Sequence, residues 1–188
     1  MLHVTVELVR LPVRVRERSG RTLDQRLALR FPAIGGASAR LIGKLPPSSR
    51  LRRAFLARAV RLASEAYNRR DLDAVTIGWH PECEYLPGRE WIEAGLVEPC
   101  YRGAEGYRRY VAATSEVWGA ENYLMPEEVI DLGDRLVVLA NVPMRAQASG
   151  VSLTEAFAYV ATLKDGRPIR FQEYFDHDAA LKAVGLAK

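Results

Sequence analysis

The chain has 188 residues, 48% of them hydrophobic and 27% charged, which suits one soluble globular domain with a real core and an appendage. Its net charge of +4 divides unevenly: residues 1–50 hold ten Lys/Arg against three Asp/Glu, or +7, and the remaining 138 hold 17 against 20, or −3. A mildly acidic main domain argues against a nucleic-acid-binding protein, and the absence of any apolar run of about 18 residues argues against a transmembrane helix.

Arginines interrupt the N-terminus from Arg10 onward, leaving no apolar core for a signal peptide, so a cytoplasmic protein is expected. Cys83 and Cys100 lie 17 residues apart without framework spacing and are read as free thiols.

In residues 1–22, Val4, Val6, Leu8, Leu11, Val13 and Val15 alternate with other residues, Arg14 and Arg16 among them. The pattern suits a strand with no evident partner, or an arginine-rich leader without structure, and the second reading is preferred. Leu23, Leu27 and Phe31 then recur at helical spacing until Pro32, and Leu41, Ile42 and Leu45 precede Pro46-Pro47. Two short amphipathic helices are expected. Bearing Arg26, Arg30, Arg40 and Lys44, they could lie on an anionic membrane surface, although packing on the domain's outside is the plainer expectation. Residues 1–47 are therefore read as a basic N-terminal extension, partly helical or disordered, and 48–188 as the domain.

Ser48-Ser49 offers an N-cap for a helix whose Leu51, Phe55, Ala59, Leu62 and Ala66 draw an apolar stripe, with Arg52, Arg58 and Arg61 opposite. Asp71 caps a shorter helix ending near His80-Pro81. Cys83 to Pro87 reads as a strand, Gly88 to Pro99 as an unusually apolar loop, and Ala104 to Trp118 as a helix. Strands follow, turned by Gly133-Asp134, by Ser149-Gly150 and by Asp165-Gly166, the strongest hairpin signal. Pro143 inside one of them implies a bulge or an edge. A last helix runs from Ala179 to Val184 and stops at Gly185. Helices followed by an antiparallel meander make an α+β domain.

The local wording fits one family. Ala66-Tyr67-Asn68-Arg69-Arg70-Asp71-Leu72-Asp73-Ala74 closes the first domain helix, and His80-Pro81-Glu82 precedes the first strand. Tyr101-Arg102-Gly103-Ala104-Glu105-Gly106, Pro126-Glu127-Glu128-Val129-Ile130-Asp131-Leu132-Gly133-Asp134, Asp165-Gly166-Arg167 and Glu173-Tyr174-Phe175-Asp176 follow in order. Over about residues 50–187 the chain resembles the SnoaL-like branch of the nuclear transport factor two-like superfamily. The resemblance implies a cone of curved antiparallel sheet packed on N-terminal helices around an internal pocket, often dimerised through the outer sheet face. It implies no single chemistry, because the fold hosts isomerases, cyclases, dehydratases, epoxide hydrolases and non-catalytic binders.

Two activities of that superfamily are tested by position. Ketosteroid isomerases need a tyrosine, a base aspartate and a protonated acid, for which ungapped matching offers Ala63, Leu86 and Ala158. Limonene-type epoxide hydrolases place a catalytic carboxylate at Glu173, within Phe171-Gln172-Glu173-Tyr174-Phe175-Asp176. Their arginine–aspartate pair would fall near Asn141-Val142-Pro143 and is missing. Neither constellation is intact.

Glu173 is the first catalytic candidate, because a carboxylate flanked by Phe171 and Phe175 on an inward face would be desolvated and its pKa raised. Glu84 is the second, sharing the parity of Leu86 on the family's pocket side. Trp91, Tyr107, Trp118 and Tyr159, with Tyr110, are core or pocket-wall residues that would hold an apolar ligand. Arg145 would take an anionic group if it points inward. His80 is read as a helix-ending residue. His80-Pro81-Glu82 with Pro99-Cys100 resembles a zinc deaminase pattern, but its last cysteine is replaced by Gly103, so neither a metal nor any cofactor is expected. The expected function is binding of a small apolar, polyketide-like molecule, with cofactor-independent proton transfer by Glu173 and Glu84 if the chain is an enzyme. The rival is a non-catalytic module with a plugged pocket.

Overall fold

The computed structural model describes residues 9–16, 20–118, 123–145 and 152–186, without the side chains at 118, 144, 145, 152 and 153. The elements run β1 (Val9–Pro12), α1 (Leu23–Arg30), α2 (Pro32–Gly43), α3 (Arg50–Asn68), α4 (Leu72–Thr76), β2 (Glu84–Leu86), α5 (Arg89–Glu93), β3 (Tyr101–Arg102), α6 (Gly103–Trp118), β4 (Met125–Asp131), β5 (Arg135–Arg145), β6 (Ser152–Lys164), β7 (Arg167–Tyr174) and α7 (His177–Ala183).

The seven strands form one sheet in the order β1-β4-β5-β6-β7-β2-β3. The expected meander is present as β4 to β7, all antiparallel. β2 joins β7 in parallel, which makes the sheet mixed. The β6–β7 hairpin turns at Asp165 and Gly166, both with positive φ (52° and 71°), as the Asp-Gly pair demands. Pro143 pairs only with Thr154, because β4 reaches no further along β5 than Asn141. The central strand is thus a local edge at that point, and a residue without an N–H fits there. Ser149-Gly150 lies outside the described residues.

Alternation of side chains gives the sheet two faces. On the inner one Val129, Val138, Ala161 and Phe171 pack with Leu56 and Val60 of α3, Val75 of α4, and Tyr107, Tyr110 and Val111 of α6. On the outer one Ile130, Val137, Leu139, Ala158 and Val160 are packed by Ala180 and Leu181 of α7.

Three expectations change. The leader supplies a real strand, since Val9–Pro12 pairs with Glu128–Asp131 at the sheet edge. The apolar loop holds the short helix α5, which starts where Gly88 bends the chain. The buried stripe of α3 is rotated from the expected one: Arg52, Leu56, Val60 and Ser64 lie inside, and Leu51 is exposed. Arg52 can lie on the core side because every guanidinium N–H has an acceptor. It pairs with both Asp131 oxygens at 2.6 and 2.9 Å and donates to the Gly43, Leu45 and Gly133 carbonyls. A buried charge is tolerated on those terms. Both cysteines are free, and no helix of the described residues is long and apolar enough to cross a membrane.

Candidate functional site

The inner face of the sheet closes on α3, α4 and α6 around a cavity of about 90 Å³. Its wall follows from strand parity. Phe171, Glu173 and Phe175 alternate along β7 and its exit, and Glu155, Phe157 and Tyr159 along β6. The parallel register sets Tyr85 of β2 opposite Phe171, and α6 adds Tyr107 and Tyr110, three residues apart on one helix face. The rings pack against one another, with centroids 4.8 Å apart for Tyr85–Tyr107 and Tyr85–Tyr110 and 4.7 Å for Trp91–Phe175.

Glu173 sits in this aromatic shell, 2% exposed. Its Oε1 accepts from the hydroxyls of Tyr85 and of Tyr110, the latter at 2.6 Å, and its Oε2 accepts from the Gly88 N–H at 3.1 Å. Gly88 is required there, because a Cβ would run into the Phe175 ring, 2.2 Å from Cε2. Burial pushes the Glu173 carboxyl up to about 7, against the lowering effect of Tyr110, Tyr85 and Gly88. Burial first, and then the neighbouring carboxylate, push the Tyr85 and Tyr110 hydroxyls well above their ordinary range, so both serve as neutral donors. A carboxylate poised near neutrality takes and returns protons efficiently.

Tyr107 and Tyr159 also line the cavity, as the sequence suggested, and so does Trp91. The Tyr107 and Tyr159 hydroxyls have no hydrogen-bond partner among the described residues. The side chains of Trp118 and Arg145 lie outside the described residues.

Glu84 is the clear correction. It pairs with Arg170 at 2.7 Å and Arg102 at 2.9 Å on the side of β2 away from the cavity, and these partners hold its carboxyl below its ordinary range, the Arg170 hydrogen bond foremost. In a strand a one-residue shift exchanges the faces, and the inward residue is Tyr85. Matching Leu86 to the pocket side carried the same error, and Ala158 faces outward under α7; of the three matched positions only Ala63 lines the cavity. The second carboxylate on the wall is Glu155. It stands four residues along β6 from Tyr159, whose pairing partner is Glu173, and hence about 13 Å farther along the strand. His80 closes a turn, its Nδ1 accepting the Glu82 N–H at 3.2 Å.

The sequence reading missed Tyr85 and the use of the Tyr110 hydroxyl. A signal for Tyr85 existed: Cys83, Tyr85 and Pro87 alternate as the less polar set, and all three are buried.

No family model matches the chain, and no curated protein matches it. Solved structures do. TerC, co-crystallised with polyporic acid, is 26% identical with a TM-score of 0.57, over 66% of this chain and 94% of its own. A nuclear transport factor two-like protein of unknown function from Burkholderia pseudomallei K96243 is 27% identical, also at 0.57, over 68% and 95%. A candidate SnoaL-like polyketide cyclase from Jannaschia sp. CCS1 is 19% identical at 0.53, over 71% and 92%. The chain therefore has the nuclear transport factor two-like fold.

Proposed function

We propose that the chain is a cofactor-independent proton-transfer enzyme of the cyclase, dehydratase or isomerase kind, acting on a small apolar, polyketide-like carbonyl compound. The observation that carries this reading is Glu173, a buried carboxylate near neutrality held by two tyrosine hydroxyls on the wall of an aromatic cavity. Ionised Glu173 takes a proton from a carbon beside the carbonyl, and Tyr85 and Tyr110 stabilise its charge beforehand. The negative charge that develops on the substrate oxygen needs a donor, which Tyr107 or Tyr159 supplies. Glu173 then returns the proton at another atom or to a leaving hydroxyl. The cyclase-like neighbour and the co-crystallised TerC complex lend the reading support by likeness.

The cavity limits what fits. At about 90 Å³ it is smaller than the roughly 150 Å³ that admits benzene, so a larger ligand enters only by moving wall residues such as Trp91 and Phe175. Dimerisation through the part of the outer sheet face that α7 leaves open belongs to the same reading.

The test is a thermal-shift panel running from one-ring phenols and aryl ketones to polyporic acid and aromatic polyketides, followed by deuterium uptake at carbon from heavy water. A ligand at 100 times its Kd adds about 2.7 kcal/mol, or roughly 5–10 °C. Uptake catalysed by the native chain and lost in Glu173→Gln supports the proposal. A folded protein that shifts with nothing and exchanges nothing means a plugged pocket and sinks it.

A further inference from the structure

The two helices before the main domain are each held by one face and leave the other to solvent. α2 sits on the β6–β7 hairpin through Gly36, Ala39 and Gly43; a Cβ at Gly43 would lie 2.7 Å from the Gly166 Cα. At about 100° per residue, Ile34 and Leu41 fall on the opposite face, where they are 65% and 68% exposed. α1 is held through buried Gln25, whose amide donates to the Leu62 carbonyl at 3.1 Å. Leu23 and Leu27, one turn apart on its outer side, are 77% and 60% exposed. Phe31, between the helices, is half exposed. Single exposed leucines need no account, but five large exposed apolar residues within two consecutive short helices and their junction do.

Arg26, Arg30, Arg40 and Lys44 are exposed on the same helices and have no ion pair among the described residues. The acidic residue of α1, Asp24, is engaged by Arg58, and α2 contains none. The geometry points to an anionic lipid surface as the partner of these outer faces, with the apolar side chains in the acyl boundary and the cations among headgroup phosphates. Charge selects this occupant. A second copy would bring together two sets of these four cations, and a neutral surface would leave the cations uncompensated. The apolar residues lie on the convex outsides of helices and not in a groove, which suits a fluid surface better than a shaped protein one.

Flotation of the full chain with vesicles tests this, using phosphatidylcholine alone and phosphatidylcholine with about one-third phosphatidylserine. The native chain floats with the anionic vesicles only, and raising the salt several-fold weakens binding by tenfold or more. Leu27→Ser combined with Ile34→Ser and Leu41→Ser removes binding while shifting the melting temperature little, because these residues are mostly exposed. Arg26→Gln with Arg30→Gln and Arg40→Gln removes the preference for anionic lipid. No flotation on anionic vesicles overturns the proposal, as does equal flotation on both kinds or a serine variant that still binds. A native oligomer that the serine substitutions dissolve, without vesicle binding, assigns the face to a second copy instead.

Discussion

The Tyr110 hydroxyl donates to Glu173 Oε1 across 2.6 Å, and the Tyr85 hydroxyl donates to the same oxygen. One helix and one parallel strand thus converge on a single carboxylate oxygen, while the other is held by the Gly88 N–H. The arrangement ties the fold to the chemistry, because the groups that hold Glu173 in place also set its proton affinity.

A pH-dependent stability follows. Glu173 titrates near 7 when folded, against 4.5 for the ordinary group. The folded state therefore binds the proton more tightly than the unfolded state. Its contribution is complete below about pH 4.5 and is lost as pH rises through 7, on the order of 3 kcal/mol. Glu173→Gln flattens this fall, and urea midpoints from pH 5 to 8 measure it. An equally steep loss in the variant would assign the effect to another group. In turnover the same substitution costs roughly 100-fold or more.

Removing the tyrosine hydroxyls moves the titration. Both lower the Glu173 carboxyl, Tyr110 more than Tyr85, so Tyr110→Phe and Tyr85→Phe each raise it further, in that order. The acid limb of any pH–rate profile moves upward accordingly. Each variant also loses about 1–3 kcal/mol of stability at alkaline pH, where the buried carboxylate is ionised and short of a donor. An unmoved acid limb in both would show that Glu173 does not set the profile.

Gly88→Ala disturbs the site without touching a titratable group. The added methyl overlaps the Phe175 ring, and relieving it displaces either that wall residue or the N–H that Glu173 uses. The expected cost is about 1–3 kcal/mol, with ligand binding weakened as well. Phe175→Leu in the same chain frees space and recovers part of the stability, and chemical denaturation of the single and double variants reads the coupling.

Legibility divides along physical lines. Asp165-Gly166 was readable because its two residues take positive φ with little strain, which is a local property. Glu173 was readable because Phe171 and Phe175 at alternate positions announce an inward face. Glu84 misled because β2 is three residues long, too short for alternation to fix the face without its neighbours. Val9–Pro12 pairs with a strand more than a hundred residues away, and no local pattern names such a partner. Arg52 misled because an arginine reads as surface unless its carboxylate partner, 79 residues on, is known.

That pair gives the last prediction. Arg52 and Asp131 are 2% and 0% exposed in their side chains, and the same guanidinium holds the Gly43 and Leu45 carbonyls that end α2. Arg52→Leu leaves Asp131 as a buried charge supported only by the Gly133 N–H among the described residues. The expected loss is about 3–5 kcal/mol, a large share of a domain's stability. Arg52→Lys recovers little, since an ammonium cannot bridge both Asp131 oxygens and three carbonyls in one plane. The double variant Arg52→Leu with Asp131→Leu is more stable than Arg52→Leu alone, because it removes the stranded charge. Urea denaturation of the three variants decides the point: if the single change costs no more than an exposed arginine, under about 1 kcal/mol, the pair does not hold the end of α2 to the sheet.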